Sequence, residues 1–235
     1  MPAQRDAATT DPTPATPGGA HRTLSPGLTG TLRGFLYAAA AAALGAAIAM
    51  VNEARQFAAV VAGELGSIGR LADAEAVSEG LIELFSLTGM VLAVLAIVWW
   101  YQAYQAIDHT GATGRSWSAG WAVGCWFIPF ANFIIPKLIL NEIDRVSAAA
   151  EEGSGEWRRR PLLTTANWWW GCFVAGSVLL AVGTAITTDQ AERSVTDVAL
   201  YRRGLWLIAA GLAVDVAGAL LGAAAVRVFG ARLTR

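Results

Sequence analysis

Residues 119–140 read AGWAVGCWFIPFANFIIPKLIL, and the fold turns on whether this stretch crosses a membrane. It is long enough, because a hydrocarbon core of about 30 Å takes about 20 apolar residues. Yet Pro129, Asn132 and Pro136 fall in its middle. Each proline removes a backbone donor and clashes with the preceding turn. In lipid, the carbonyls so freed must find partners. Two short helices fit better, one over 118–128 and one over 136–150 with Pro136 at its first position. In the second, Ile135, Ile139, Ile143 and Val146 share a stripe, and Lys137, Glu142, Asp144 and Arg145 lie off it. That pattern predicts an amphipathic helix lying in a membrane interface.

Four other segments carry about 20 apolar residues each: 32–51, 81–100, 168–187 and 205–226. The first is rich in alanine and only marginally hydrophobic, so it needs protein neighbours. Lys and Arg favour the cytoplasmic side of short loops. With four spans and the N-terminus inside, twelve basic residues fall inside and five outside, the triplet Arg158–Arg160 among the former. If 119–140 also crossed, seven would fall inside and ten outside. Four spans with both ends inside is therefore preferred. Of ten tryptophans, nine lie between Trp99 and Trp170. This predicts an aromatic collar at the inner interface, where indole is favoured.

Composition agrees. The 235 residues are 55% hydrophobic and 15% charged, with a mean hydropathy of +0.46. A soluble domain is about 25% charged. A net charge of −1 gives no basic surface for nucleic acid. The expected fold is an all-α membrane protein with four transmembrane helices and a Pro-broken interfacial or re-entrant segment between spans two and three. Residues 1–30 hold five of the eight prolines and no apolar period, so they read as a disordered cytoplasmic tail. The polar stretch before Leu36 is too long for a secretory signal, which leaves the first span uncleaved. Residues 31–228 form the membrane domain, and 229–235 a second cytoplasmic tail. Helical spacing in 52–80 (Phe57, Val61, Leu65, Ile68, Leu71) and in 188–203 predicts a small outer helical cap.

The sharpest single residue is Asp215, at the centre of the fourth span. A charge there costs about 2.5–3.5 kcal/mol on insertion scales. Gly211, Asp215, Gly218 and Gly222 are spaced four, three and four, so they share one helix face. Gly218 and Gly222 form a small-xxx-small pair that permits close helix packing. Asp215 is thus expected to point into the bundle, with Ser177 as its hydrogen-bond partner and Thr88 as the second choice. Intramembrane acids read as proton or cation sites, or as protonated ties between helices.

Nothing assembles into a catalytic set. His109 follows Asp108, but no serine nucleophile joins them. Cys125 and Cys172 read as packing residues. Neither Cys-x-x-Cys nor His-x-x-x-His occurs, so no metal site and no cofactor is expected.

The stretch WSAGWAVGCWFIPFANFIIPKLILNEIDRVS at 117–147 resembles a bacterial, mainly actinobacterial, membrane family known as domain of unknown function 4328. The marks are Gly120-Trp121, then Trp126-Phe127-Ile128-Pro129, then Asn132, and Pro136 followed by an amphipathic stretch. Tyr101-Gln102-Ala103-Tyr104 and Trp168–Trp170 also look like that family, and the similarity covers about 80–225. Lys137 and Asn141–Asp144 stand where the family commonly has aromatic and basic residues. The resemblance implies a multi-span protein of a bacterial plasma membrane and supplies no activity. Within the motif, Trp121, Trp126, Pro129, Asn132 and Pro136 have a physical reading. Asn132 can bond carbonyls that the prolines leave free, and the indoles can pin the broken segment. On this reading Asn132→Leu lowers yield more than Asn141→Leu.

The expected function is non-catalytic: association in the bilayer with itself or with another membrane protein, through the glycine face and the collar. The alternative is a small transporter or channel that uses Asp215.

Overall fold

The structure is a computed structural model that describes residues 24–108 and 110–234. In chain order its helices are α1 (Pro26–Val61), α2 (Ser67–Asp108), α3 (Trp121–Gly124), α4 (Ile135–Glu151), α5 (Thr164–Glu192) and α6 (Val198–Leu233). Short 3-10 turns lie at Cys125–Phe127, Ala131–Phe133 and Trp157–Arg159. No strand occurs among the described residues. The helices α1, α2, α5 and α6 are each long and apolar enough to cross a membrane, and each contains one of the four segments expected from the sequence.

Both expected tails are shorter than the sequence reading allowed. Pro26, taken as a mark of disorder, is the first residue of α1. Its fixed φ suits that position, and the Ser25 hydroxyl caps the helix by accepting from the Leu28 N–H at 3.3 Å. Leu24 is fully buried. At the other terminus α6 runs on to Leu233, with Phe229 fully buried. The Leu24 N–H donates to the Leu233 carbonyl at 3.3 Å, which joins the two ends. The rest of the first expected tail, residues 1–23, lies outside the described residues, as do His109 and Arg235.

Laterally the order is α2, α1, α6, α5. Helix α6 packs along both α1 and α5, and α1 packs along α2, but α2 and α5 share no packed interface. The alanines of α1 explain its close fit: Ala39, Ala43, Ala46 and Ala54 are buried against neighbours. The α5–α6 seam is built on glycine. Gly176 and Gly183 on α5 are seven residues apart, as are Gly204, Gly211 and Gly218 on α6. A seven-residue repeat keeps one stripe turned toward the partner helix. At Gly183 a Cβ would lie 2.9 Å from both the Gly204 carbonyl oxygen and the Ile208 nitrogen.

The interior falls into two apolar clusters. One holds Ala43, Ala46, Met50, Leu205, Ile208 and Leu212. The other holds Trp99, Trp100, Tyr104, Ile139, Ile143, Val226 and Phe229, and fills the end covered by residues 110–163. At the opposite end no separate cap forms. Helices α1 and α2 simply continue past the apolar segments and meet in a turn where Gly63 and Gly66 take φ of 74° and 72°. Within this extension Glu53 is 6% exposed and accepts from the Ser78 hydroxyl. Across the other connection, Ser194 and Val195 adopt φ of 58° and 52° between α5 and α6, where the sequence predicted helix.

The broken segment departs from two tidy helices. Of the expected 118–128 helix only one α-turn and one 3-10 turn form. The residue before a proline is pushed out of the helical region, and Ile128 accordingly ends the turn extended, at φ −100° and ψ 117°. Phe130 follows with φ 64°, a strained value for a residue with a side chain. Pro136, by contrast, sits in the first turn of α4 and is tolerated there.

Candidate functional site

Helix α4 does not lie free in an interface. Its apolar stripe, with Ile139, Ile143 and Val146, enters the aromatic cluster, and its acids are buried too. Glu142 is 5% and Asp144 3% exposed. The Glu142 carboxylate accepts from the Ser116 N–H at 3.0 Å and the Tyr104 hydroxyl at 3.3 Å. Asp144 accepts from the Leu163 N–H at 2.5 Å and from Arg232 at 2.9 Å. These residues were read as an outward polar face. Spacing separates them from the apolar stripe but cannot show that loops 110–120 and 152–163 fold back over that face. Burial raises the Glu142 carboxyl above its ordinary range, opposed by those two hydrogen bonds.

Lys137, also on α4, donates to Asn141 and Asn167, each at 2.6 Å. Partial burial lowers its ammonium to about 8, against the pull of Asp144. The folded state therefore sheds this proton near pH 8, while an unfolded chain keeps it to about 10.4. Stability should be flat below pH 8 and rise as pH climbs toward 10.4. Thermal melting of wild type and Lys137→Met across that range checks this, since the variant should lose the rise.

The tryptophans form an internal stack more than a collar. Trp99 and Trp100 are 0% and 1% exposed. Trp100 meets Trp126 edge-on at 5.7 Å and Trp169 at 5.5 Å, and Trp126 meets Trp170 at 6.3 Å. One of their N–H groups, that of Trp170, does what was assigned to Asn132, and a second ties α2 to α4. Trp100 donates to the Pro136 carbonyl at 3.3 Å, and Trp170 to the Phe133 carbonyl at 3.0 Å. The Asn132 side chain bonds none of the described carbonyls, and its Oδ1 is buried without a partner, as is the Trp126 N–H. Asn132→Leu therefore removes a desolvated acceptor and not a bridge, and the yield difference expected from the sequence loses its basis. Trp170→Phe should instead cost about 1–3 kcal/mol by orphaning the Phe133 carbonyl. Trp168→Phe, at a site 66% exposed, should stay within about 0.5 kcal/mol. Unfolding curves in detergent would separate the two.

Between the two apolar clusters, in the gap that α2 and α5 leave, lies a partly open chamber of about 470 Å³. Leu36 and Ala39 of α1 form its back, with Phe85, Gly89, Leu92, Ala93 and Ala96 of α2 on one side. Phe173, Ser177 and Leu180 of α5 form the other side, and Asp215 and Gly218 of α6 complete the wall. Trp100, Trp126, Asn132, Trp169 and Trp170 line the end toward the broken segment.

Asp215 and Ser177 thus share one chamber but are not bonded to each other. The Ser177 hydroxyl donates to the Phe173 carbonyl of its own helix at 2.7 Å. Thr88 likewise bonds the Leu84 carbonyl and does not line the chamber. The Asp215 side chain lies on Gly176, where any Cβ would collide with its carboxylate. Among the described residues no hydrogen bond or ion pair reaches that carboxylate.

The face that carries Asp215 also carries the glycines. Gly211 sits against Leu180, Gly218 against Cys172 and Gly222 against Trp169. The glycine face is therefore filled by α5 of the same chain. The sequence reading saw the four-residue spacing and missed the seven-residue repeat in Gly176, Gly183 and Gly204. Of the motif residues, Pro136 is buried and Trp121 44% exposed, and Pro129 ends the first turn. Asp108 pairs with Arg115, and Cys125 and Cys172 are unlinked.

No curated protein and no solved structure matches this chain. A family model described as "Domain of unknown function (DUF4328)" matches residues 62–231. That range takes in α2, the broken segment, α4, α5 and nearly all of α6, and with them most of the chamber wall. The chain therefore belongs to the family called domain of unknown function 4328.

Proposed function

We propose that this is a four-span integral membrane protein with both ends in the cytoplasm, and that it binds an apolar guest drawn sideways from the bilayer. The observation that carries the reading is the chamber between α2 and α5. Its volume suits a small lipophile, and its gap lies between two helices that face the bilayer. The basic residues near the capped end, Arg158–Arg160 among them, set the orientation. The broken segment dips into the inner leaflet, because Phe127, Phe130 and Ile134 are 75%, 83% and 61% exposed there and suit acyl chains.

Binding is preferred to catalysis because no acid–base pair accompanies Asp215 in the chamber, and the Ser177 hydroxyl there donates to the Phe173 carbonyl of its own helix. Association through the glycine face is disfavoured, because α5 already fills that face. A second reading, cation or proton passage, draws on the unpaired Asp215. Against it, Met50, Leu205, Ile208 and Leu212 close the bundle beyond the chamber.

Gly89 offers the test, since a Cβ there meets nothing within 4 Å. Gly89→Phe puts a ring on the chamber wall from a position where the Cβ itself has room. In phosphatidylcholine nanodiscs, 2-bromododecanol should quench the tryptophans of wild type and much less those of Gly89→Phe. Equal quenching in the two would overturn the reading.

A further inference from the structure

The chamber joins two kinds of group that recognise one class of ligand. Its polar wall is Asp215, the single carboxylate among its lining residues, and no lining residue carries a positive charge. Its inner end is four indoles, Trp100, Trp126, Trp169 and Trp170. A bare carboxylate deep in an apolar bundle is costly, and among the described residues nothing pairs with it. Aromatic faces attract cations by about 0.5–2 kcal/mol, and quaternary ammonium groups are recognised by aromatic cages. A neutral lipophile would use the aromatic walls and leave the carboxylate unpaired. A hydrated metal ion would waste the indoles and the apolar sides. A compact organic cation on an apolar body satisfies both.

Resting on the binding role proposed above, we infer that the guest is a lipophilic ammonium compound, a protonated amine or quaternary ammonium on an alkyl or aromatic body, with Asp215 as its counter-ion and the indoles around its head. Asp215 is a binding residue here and transfers nothing. The unpaired Trp126 N–H and Asn132 Oδ1 lie at the same end of the chamber.

Two probes of one length separate this inference from the reading beneath it. They are 2-bromododecyl-trimethylammonium and 2-bromododecanol, which carry the bromine beside the head, titrated into the full chain in phosphatidylcholine nanodiscs and followed by tryptophan quenching. The zwitterionic lipid gives the cation no surface attraction of its own. Wild type should respond to the ammonium probe at a roughly tenfold lower mole fraction than to the alcohol. Asp215→Asn should shrink that preference, since only the indoles then favour the cation, and Gly89→Phe should weaken both. If wild type responds equally to both probes while Gly89→Phe weakens both, the ammonium inference falls and the apolar-guest reading stands. If Gly89→Phe weakens neither, both fall. The preference of wild type between the probes decides the matter even where Asp215→Asn fails to fold.

Discussion

Gly183→Val is expected to be among the most damaging single substitutions in this chain, lowering stability by more than about 3 kcal/mol. Overpacking a filled interior costs about 1–3 kcal/mol when side chains can shift. At Gly183 they cannot absorb the change. The new Cβ meets the Ile208 side chain at 2.8 Å, which can shift, but also the Gly204 carbonyl oxygen and the Ile208 nitrogen, both backbone and both at 2.9 Å. Helix α5 must move off α6 or bend. Such a shift would also carry Gly176 away from Asp215 and open the chamber. The matched control is Gly171→Ala on the same helix, where a Cβ meets nothing within 4 Å. Alanine is the better helix former by about 1 kcal/mol, so this variant should be neutral or slightly more stable. Thermal melting of the pair in one detergent is the measurement, and equal melting points would remove the seam from the list of what holds the fold.

Asp144→Ala should cost a similar amount by a different route. The Asp144 carboxylate is 3% exposed as a residue and serves two donors from distant parts of the chain, the Leu163 N–H and the Arg232 guanidinium. Breaking a buried charge pair leaves the other charge without compensation, at about 3–5 kcal/mol. Arg232 keeps a second contact with Glu151 at 3.4 Å and is 19% exposed, which places the loss near the lower end. The loss should also be local. Loop 152–163 and the last turn of α6 lose their anchor while the α5–α6 seam is untouched. Limited proteolysis should then cut within 152–163 in the variant well before wild type. Asp144→Asn keeps an acceptor for Leu163 and should be the milder change.

The long helices were legible because a bilayer-length apolar run can satisfy its backbone in only one way. The break at Pro129 was legible for the same reason, since a proline in mid-span frees carbonyls. What satisfies those carbonyls was not. Asn132 was the nearest polar side chain in sequence, but the donor to the Phe133 carbonyl is Trp170, 37 residues away. Helical periodicity carries no information at that range. The acids of α4 failed similarly, because a spacing argument sorts residues by face and cannot say which faces are later covered. Asp215 was found because an acid in the middle of an apolar run is rare enough to read singly, and three glycines of α6 because they share its helix face. The chamber could not be read at all. It arises where α2 and α5 meet at one end only, through Trp100 and Trp169, and the gap along the rest of their length leaves no trace in a sequence.

The lateral order α2, α1, α6, α5 sets the last-made helix between the first and the next to last. A nascent chain that has delivered α1, α2 and α5 holds a hairpin joined to α5 at one end only, where Trp100 meets Trp169 and Trp170 bonds the Phe133 carbonyl. Neither the glycines of α5 nor the outer face of α1 has a partner until α6 emerges. The same helix then brings Arg232 to Asp144 and Leu233 to Leu24. A chain that stops before Val198 lacks the helix that lies between α1 and α5, and with it the far partners of Asp144 and Leu24.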